Sequence, residues 1–122
     1  MERIFLFLGA VLGFFGVACG AFGGHLLKER LAPEFLNIFE IGVRYQMYHA
    51  LALLGLAWAF SRFGNGLLSA AGWLFLIGTL IFSGSLYALS LTGVKAWGAV
   101  TPLGGISLLA GWILFAAGVI SK

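Results

Sequence analysis

The sequence predicts an all-α integral membrane protein. A single domain over residues 1–122 forms a bundle of four transmembrane helices, with a short interfacial helix between the first and second spans. Three observations predict it. Hydrophobic residues make up 61% of the chain and charged residues 9%, whereas soluble domains carry roughly a quarter charged residues. So few charges cannot clothe a water-facing surface, so hydrocarbon must be the solvent for most of the chain. Apolar runs of roughly 20 residues, the length that crosses a bilayer as a helix, recur from end to end. The remaining polar residues gather between those runs or at the start of one of them. Backbone groups in lipid must be paired internally, which leaves helices rather than open strands.

Residues 4–24 are uncharged and long enough for a first span. The run exceeds a signal-peptide core and its only basic start is Arg3, offset by Glu2, so it is read as retained. The connecting string "HLLKERLAPEFLNIFEIG" has Pro33 at a position suited to a first helical turn and Glu34 at its positive end. Phe35, Leu36, Ile38 and Phe39 come next at helical spacing, which gives the interfacial helix or the run-in to the second span. Residues 43–61 form the second span, with Arg44 and His49 near its start. Gly64, Asn65 and Gly66 mark a turn. Residues 63–94 hold a third span ending near Thr92 and Gly93. In "VTPLGGIS", Thr101 can cap a helix whose first residue is Pro102, giving a last span to about Ser121. The alternative is a break inside a longer helix that starts near Ala96.

Net charge is +3, from seven basic and four acidic residues. The basic residues are scattered singly between apolar runs, as in membrane loops, with no nucleic-acid motif. They divide almost evenly between the two sides, so orientation stays open, with a lean towards both termini inside. One cysteine, Cys19, excludes an intrachain disulfide and a zinc site of paired cysteines.

Small residues predict how the helices pack. In the first span Gly9, Gly13, Gly16, Gly20, Gly23 and Gly24 fall within about a 100° arc. Such a face lets another backbone approach closely and gain dispersion contact in lipid. Gly104, Ser107, Gly111 and Gly118 make a stripe on the last span. Gly72, Thr79, Ser83 and Ser90 make one on the third. These are packing faces first. They also leave a homo-oligomer open, alongside the bilayer itself, as a partner.

The candidate polar site lies in "EIGVRYQMYHAL", residues 40–51. Glu40, Arg44 and Tyr48 share one helical stripe, in the favourable order for an acid–base pair. Tyr45 and His49 form a second, and Gln46 points in a third direction. One reading puts this turn among headgroups, with tyrosines at the interface and Arg44 snorkelling. The sharper reading turns Arg44, Gln46 and His49 inward, where ionisable residues have a partner or a task. His25, at the far end of the first span, falls on the same membrane face of an up-down hairpin, so His25, Glu40, Arg44 and His49 can converge. Histidine shuttles protons or binds metal, but no tight ligand spacing is present. No metal is assigned and the cofactor is left unknown. There is no nucleophile–base pair and no paired carboxylates, so no catalytic residue is assigned.

Four strings, "GAFGGHLLK", "GVRYQMYHALALLGLA", "FLIGTLIFSGSLYALSLTG" and "TPLGGISLLAGW", together resemble the YgdD/YwdK family of small bacterial inner-membrane proteins. The likeness runs from about Gly9 to Trp112 in the same order. It implies four spans and a place in the cell (inner) membrane, with no activity, cofactor or substrate. The family's recurring pattern falls on His25, Tyr45, His49, Ser83, Gly84, Ser85, Tyr87, Thr101, Pro102, Gly104 and Gly105. Two functions stand as expectations. One is a small ion or solute channel or transporter, its polar site drawn from His25, Glu40, Arg44, Tyr45, Gln46, Tyr48, His49, Ser83, Ser85, Tyr87 and Thr101. The other is an assembly or binding subunit that uses the glycine faces.

Overall fold

The computed structural model describes residues 1–121 as four long helices with no strand among them. We name them α1 (Glu2–Leu27), α2 (Pro33–Phe63), α3 (Gly66–Thr92) and α4 (Lys95–Ile120). Three of them, α1, α3 and α4, are long and apolar enough to cross a membrane. The fourth helix, α2, is the longest at 31 residues, but Arg44, Gln46, His49 and two tyrosines lower the hydropathy of its first half. Pro33 occupies its first turn and the chain runs on unbroken, so residues 33–39 are the run-in to α2. Proline suits that place because its missing N–H is one that a helix start leaves unpaired anyway.

The helix ends have local causes. Gly64 and Gly93 take positive φ (38° and 71°), and their N–H groups donate the last backbone bonds of α2 and α3, to the Phe60 and Leu89 carbonyls. That left-handed stop is open to glycine without the cost of a Cβ. Asn65 starts α3 by accepting from the Leu68 N–H at 3.1 Å. Thr101 departs from its expected capping role. It is the first residue of the α-helical part of α4, which comes after a 3₁₀ turn over Lys95–Ala99, and its hydroxyl makes no cap bond. That hydroxyl pairs instead with Ser85 at 2.5 Å, because α3 lies alongside.

The helices pack in chain order. α1 lies against α2, α2 against α3 and α3 against α4, with α2 touching α4 lightly. The glycine face of α1 meets α2 in antiparallel register: Gly9 lies over Ala50 and Leu53, Gly16 over Met47, Gly20 over Val43 and Gly23 over Phe39. Gly24 breaks the pattern, with nothing within 4 Å of its Cβ position. The physical reason is a π-helical stretch over Ala18–Gly23, which adds a residue to the turn and rotates the last turn of α1 away from the seam. On the other side, Gly104, Gly111 and Gly118 of α4 face Phe82, Phe75 and Leu68 of α3.

The centre is filled by Phe5, Leu53, Leu56, Leu68, Ala71 and Phe75, each with no exposure. Phe5 reaches from α1 to Trp73, ring centroids 5.6 Å apart. The outer surface is the inverse of a soluble one. Phe7, Phe14, Leu109 and Ile113 are each about two-thirds exposed, and an apolar surface of that extent belongs against lipid or another helix.

Candidate functional site

The buried face of α2 runs through Phe39, Gly42, Gln46, His49, Ala50, Leu53 and Leu56, an i, i+3, i+4, i+7 pattern. Two polar side chains lie on it. Gln46 and His49 retain only 5% and 4% exposure, whereas Glu40, Arg44 and Tyr48 point outward. Of the three residues that the sharper reading turned inward, two are inside. Arg44 is exposed, as the headgroup reading has it.

Gln46 joins three helices. Its Nε2 donates to the Leu12 carbonyl of α1 at 2.8 Å, and its Oε1 accepts from the Tyr87 hydroxyl of α3 at 2.6 Å. One turn away, the Ser83 hydroxyl donates to the Gly42 carbonyl at 2.7 Å. A Cβ on Gly42 would meet the Tyr87 ring at 2.8 Å, so the glycine is what lets α3 come near enough for both bonds.

His49 faces the other way, towards α4. Its Nδ1 lies 2.8 Å from the Tyr45 carbonyl, and its Nε2 lies 3.0 Å from Trp112 Nε1. A carbonyl can only accept and an indole N–H can only donate. Together they fix one tautomer: neutral imidazole, with the proton on Nδ1. Both ring nitrogens are satisfied, and the ring packs against Phe75 as well, centroids 5.4 Å apart.

Three more side-chain contacts fasten α3 to α4. Ser85 bonds the Phe82 carbonyl at 2.9 Å as well as Thr101, and Thr101 lies 3.4 Å from the Trp97 carbonyl. Ser107 donates across the α3–α4 seam to the Leu74 carbonyl at 2.9 Å. Asn65 Nδ2 reaches the Gly118 carbonyl at 2.9 Å. The sequence reading missed that last bond, since an asparagine between two glycines gives no signal beyond a turn. One buried polar atom has no partner among the described residues, the Thr79 hydroxyl oxygen.

The expected meeting of His25, Glu40, Arg44 and His49 does not form. His25 is exposed and borders a cavity of about 570 Å³ with Leu26, Lys28, Glu29 and Arg30, while His49 is sealed between α2 and α4. A hairpin brings two helix ends to one side, but it does not choose which face of each helix turns inward. Among the described residues no group of three histidine, cysteine, aspartate or glutamate side chains could hold a metal.

Comparison with known proteins supplies relatives without an activity. The family model described as "Protein of unknown function (DUF423)" matches residues 19–105, a stretch that contains Gln46, His49, Ser83 and Tyr87. The UPF0382 membrane protein YwdK of Bacillus subtilis is 42% identical over 113 residues, 92% of each chain. The UPF0382 inner membrane protein YgdD of Escherichia coli is 42% identical over 119 residues, covering 98% of this chain and 91% of the relative. A Staphylococcus haemolyticus relative, also termed a UPF0382 membrane protein, is 40% identical over 112 residues. No solved structure matches this chain.

Proposed function

This chain belongs to the DUF423 family of membrane proteins of unknown function, and we propose that it is a non-conducting binding or assembly subunit of the cell (inner) membrane, with α2 as its fourth span. One observation carries the reading. The middle of the bundle is filled by side chains with no exposure, and the buried polar groups beside it, the Thr79 hydroxyl apart, are bonded to one another or to backbone carbonyls. A permeating ion needs polar groups free to replace its water. Here Gln46, His49 and Ser83 already have partners, and each has one on a neighbouring helix. The polar residues thus act as glue for a bundle that lacks a hydrophobic drive to assemble in lipid. Channel or transporter activity finds less support in this arrangement.

The fourth span is supported by length and neighbours. At 1.5 Å per residue, the 31 residues of α2 reach roughly 46 Å, beyond the ~30 Å hydrocarbon core. α2 also packs along both α1 and α3, which are themselves long and apolar enough to cross. Its polar half is shielded on the inner face by Tyr87, Ser83 and Trp112, while Glu40 and Arg44 are exposed in its first half, from which long side chains extend towards the interface.

The test is flux. Purified protein in proteoliposomes, under gradients of protons, potassium, fluoride or a small amine, is expected to leak no faster than empty vesicles. A flux that appears with the protein and disappears with His49→Ala would overturn the proposal.

A further inference from the structure

One polar group in this bundle is left over, and it stands at a cavity. Thr79 keeps 2% exposure and its hydroxyl has no partner among the described residues. The residue lines a cavity of about 230 Å³ together with Leu12, Phe15, Gln46, Leu80, Ser83, Gly84 and Tyr87. We infer that this groove between α1 and α3 binds a neutral, lipid-soluble molecule, with one carbonyl or hydroxyl group held at Thr79 and an apolar tail running out into the bilayer.

The lining sets the chemistry. No charged side chain borders the groove, so nothing would offset the cost of desolvating an ionic head there. Its inner wall offers hydrogen-bonding capacity that the bundle does not consume. Gln46 Nε2 carries two hydrogens and gives one to Leu12. Ser83 and Tyr87 each donate their only hydroxyl hydrogen, to Gly42 and to Gln46, and keep lone pairs free. Thr79 has both donor and acceptor to spare. A χ1 rotation between the two rotamers that threonine uses on a helix moves its hydroxyl to a different staggered position and so can turn it towards an occupant. One carbonyl or hydroxyl uses these groups well.

The mouth sets the route. Phe15 and Leu80 on its rim are each more than half exposed, on a surface that faces lipid in the proposed arrangement. Gly84 keeps the groove open, since a Cβ there meets nothing within 4 Å. The volume is below the roughly 300 Å³ of sites that enclose a whole drug-sized ligand. It suits a head and a few carbons, the tail remaining in lipid. The inference deepens the binding arm of the function proposed above and depends on the bundle lying in the bilayer.

The experiment is photolabelling of the intact chain in lipid nanodiscs. The probe is a sixteen-carbon primary alcohol with a diazirine near its hydroxyl end. The control is the same diazirine chain ending in methyl. Saturable adducts are expected on the segments 12–15 and 79–87, with the alcohol labelling about five-fold above the alkane, the effect of one hydrogen bond. Thr79→Val should bring the alcohol down to the alkane level while leaving the melting temperature unchanged or higher. Gly84→Leu places a side chain where a Cβ meets nothing within 4 Å, and should abolish labelling by both probes with helical content retained. Adducts spread evenly over exposed positions such as Ile113, or alcohol labelling unchanged in Thr79→Val, would overturn the inference. Either of those results leaves the flux outcome where it stood, so the two readings fail separately.

Discussion

The two outer seams of the bundle both use glycine, but for different contacts. At the α1–α2 seam the glycines mostly receive side chains. A Cβ on Gly16 would strike the end of the Met47 thioether, and those on Gly20 and Gly23 would come within 3.1 Å of Val43 and Phe39. At the α3–α4 seam Gly104 brings backbone to backbone, while Gly111 and Gly118 meet the Phe75 and Leu68 side chains. A Cβ on Gly104 would stand 2.5 Å from the Phe82 nitrogen and 2.9 Å from the Gly78 carbonyl oxygen. The first seam can yield at Gly16 by moving a flexible side chain, whereas the second can yield at Gly104 only by moving a helix. A small-residue stripe therefore says that something comes close, and the identity of the approaching atom decides how much a substitution costs.

Substitutions can break that contrast, and the largest effect belongs to the rigid seam. Gly104→Ala should lose about 3 kcal/mol, the upper end for overpacking a close contact, or fail to yield a folded bundle; SDS-titrated unfolding followed by helical signal reads it. A cost near zero would mean that α4 slides freely on α3. Next comes Gln46→Leu, which strands the Leu12 carbonyl and the Tyr87 hydroxyl. About 2 kcal/mol is expected from leaving buried groups unpaired, and adding Tyr87→Phe should recover part of it in a double-mutant cycle.

Ser107→Ala sharpens the comparison by removing one cross-seam bond and nothing else. Interhelical bonds of this kind average about 0.6 kcal/mol in lipid, so the same titration should shift only slightly. Gly16→Ala is the smallest. The Met47 thioether can swing aside, and alanine favours the helix by up to about 1 kcal/mol over glycine. The net change should lie within about 0.5 kcal/mol of zero. A loss comparable to that of Gly104→Ala would erase the distinction between the seams.

Much of the site was legible in residues 40–51, though not its orientation. Gln46 and His49 stood out as polar residues entering an apolar run, and the structure buries both. Arg44 stood out equally and is exposed. The partners were out of reach. Nothing near Trp112 marks it as a donor to His49, since the two are 63 positions apart and meet only because α4 lies across α2. The stripe of Thr79, Ser83 and Ser90 was readable as one face and all three are buried. Their roles still differ: Ser83 bonds another helix, Ser90 bonds its own preceding turn, and Thr79 bonds nothing.

By itself the sequence determined the solvent, the helical class, the glycine stops at residues 64 and 93 and the small-residue faces, because hydropathy, backbone pairing and side-chain size are properties of the chain alone. Which face of each helix turns inward was decided only by the tertiary structure. Helical periodicity fixes the angle between two side chains on one helix and leaves the rotation of the whole helix free. That rotation was set by close packing against neighbours, by a π-helical turn that re-phases the end of α1, and by hydrogen bonds to carbonyls that any sequence would offer.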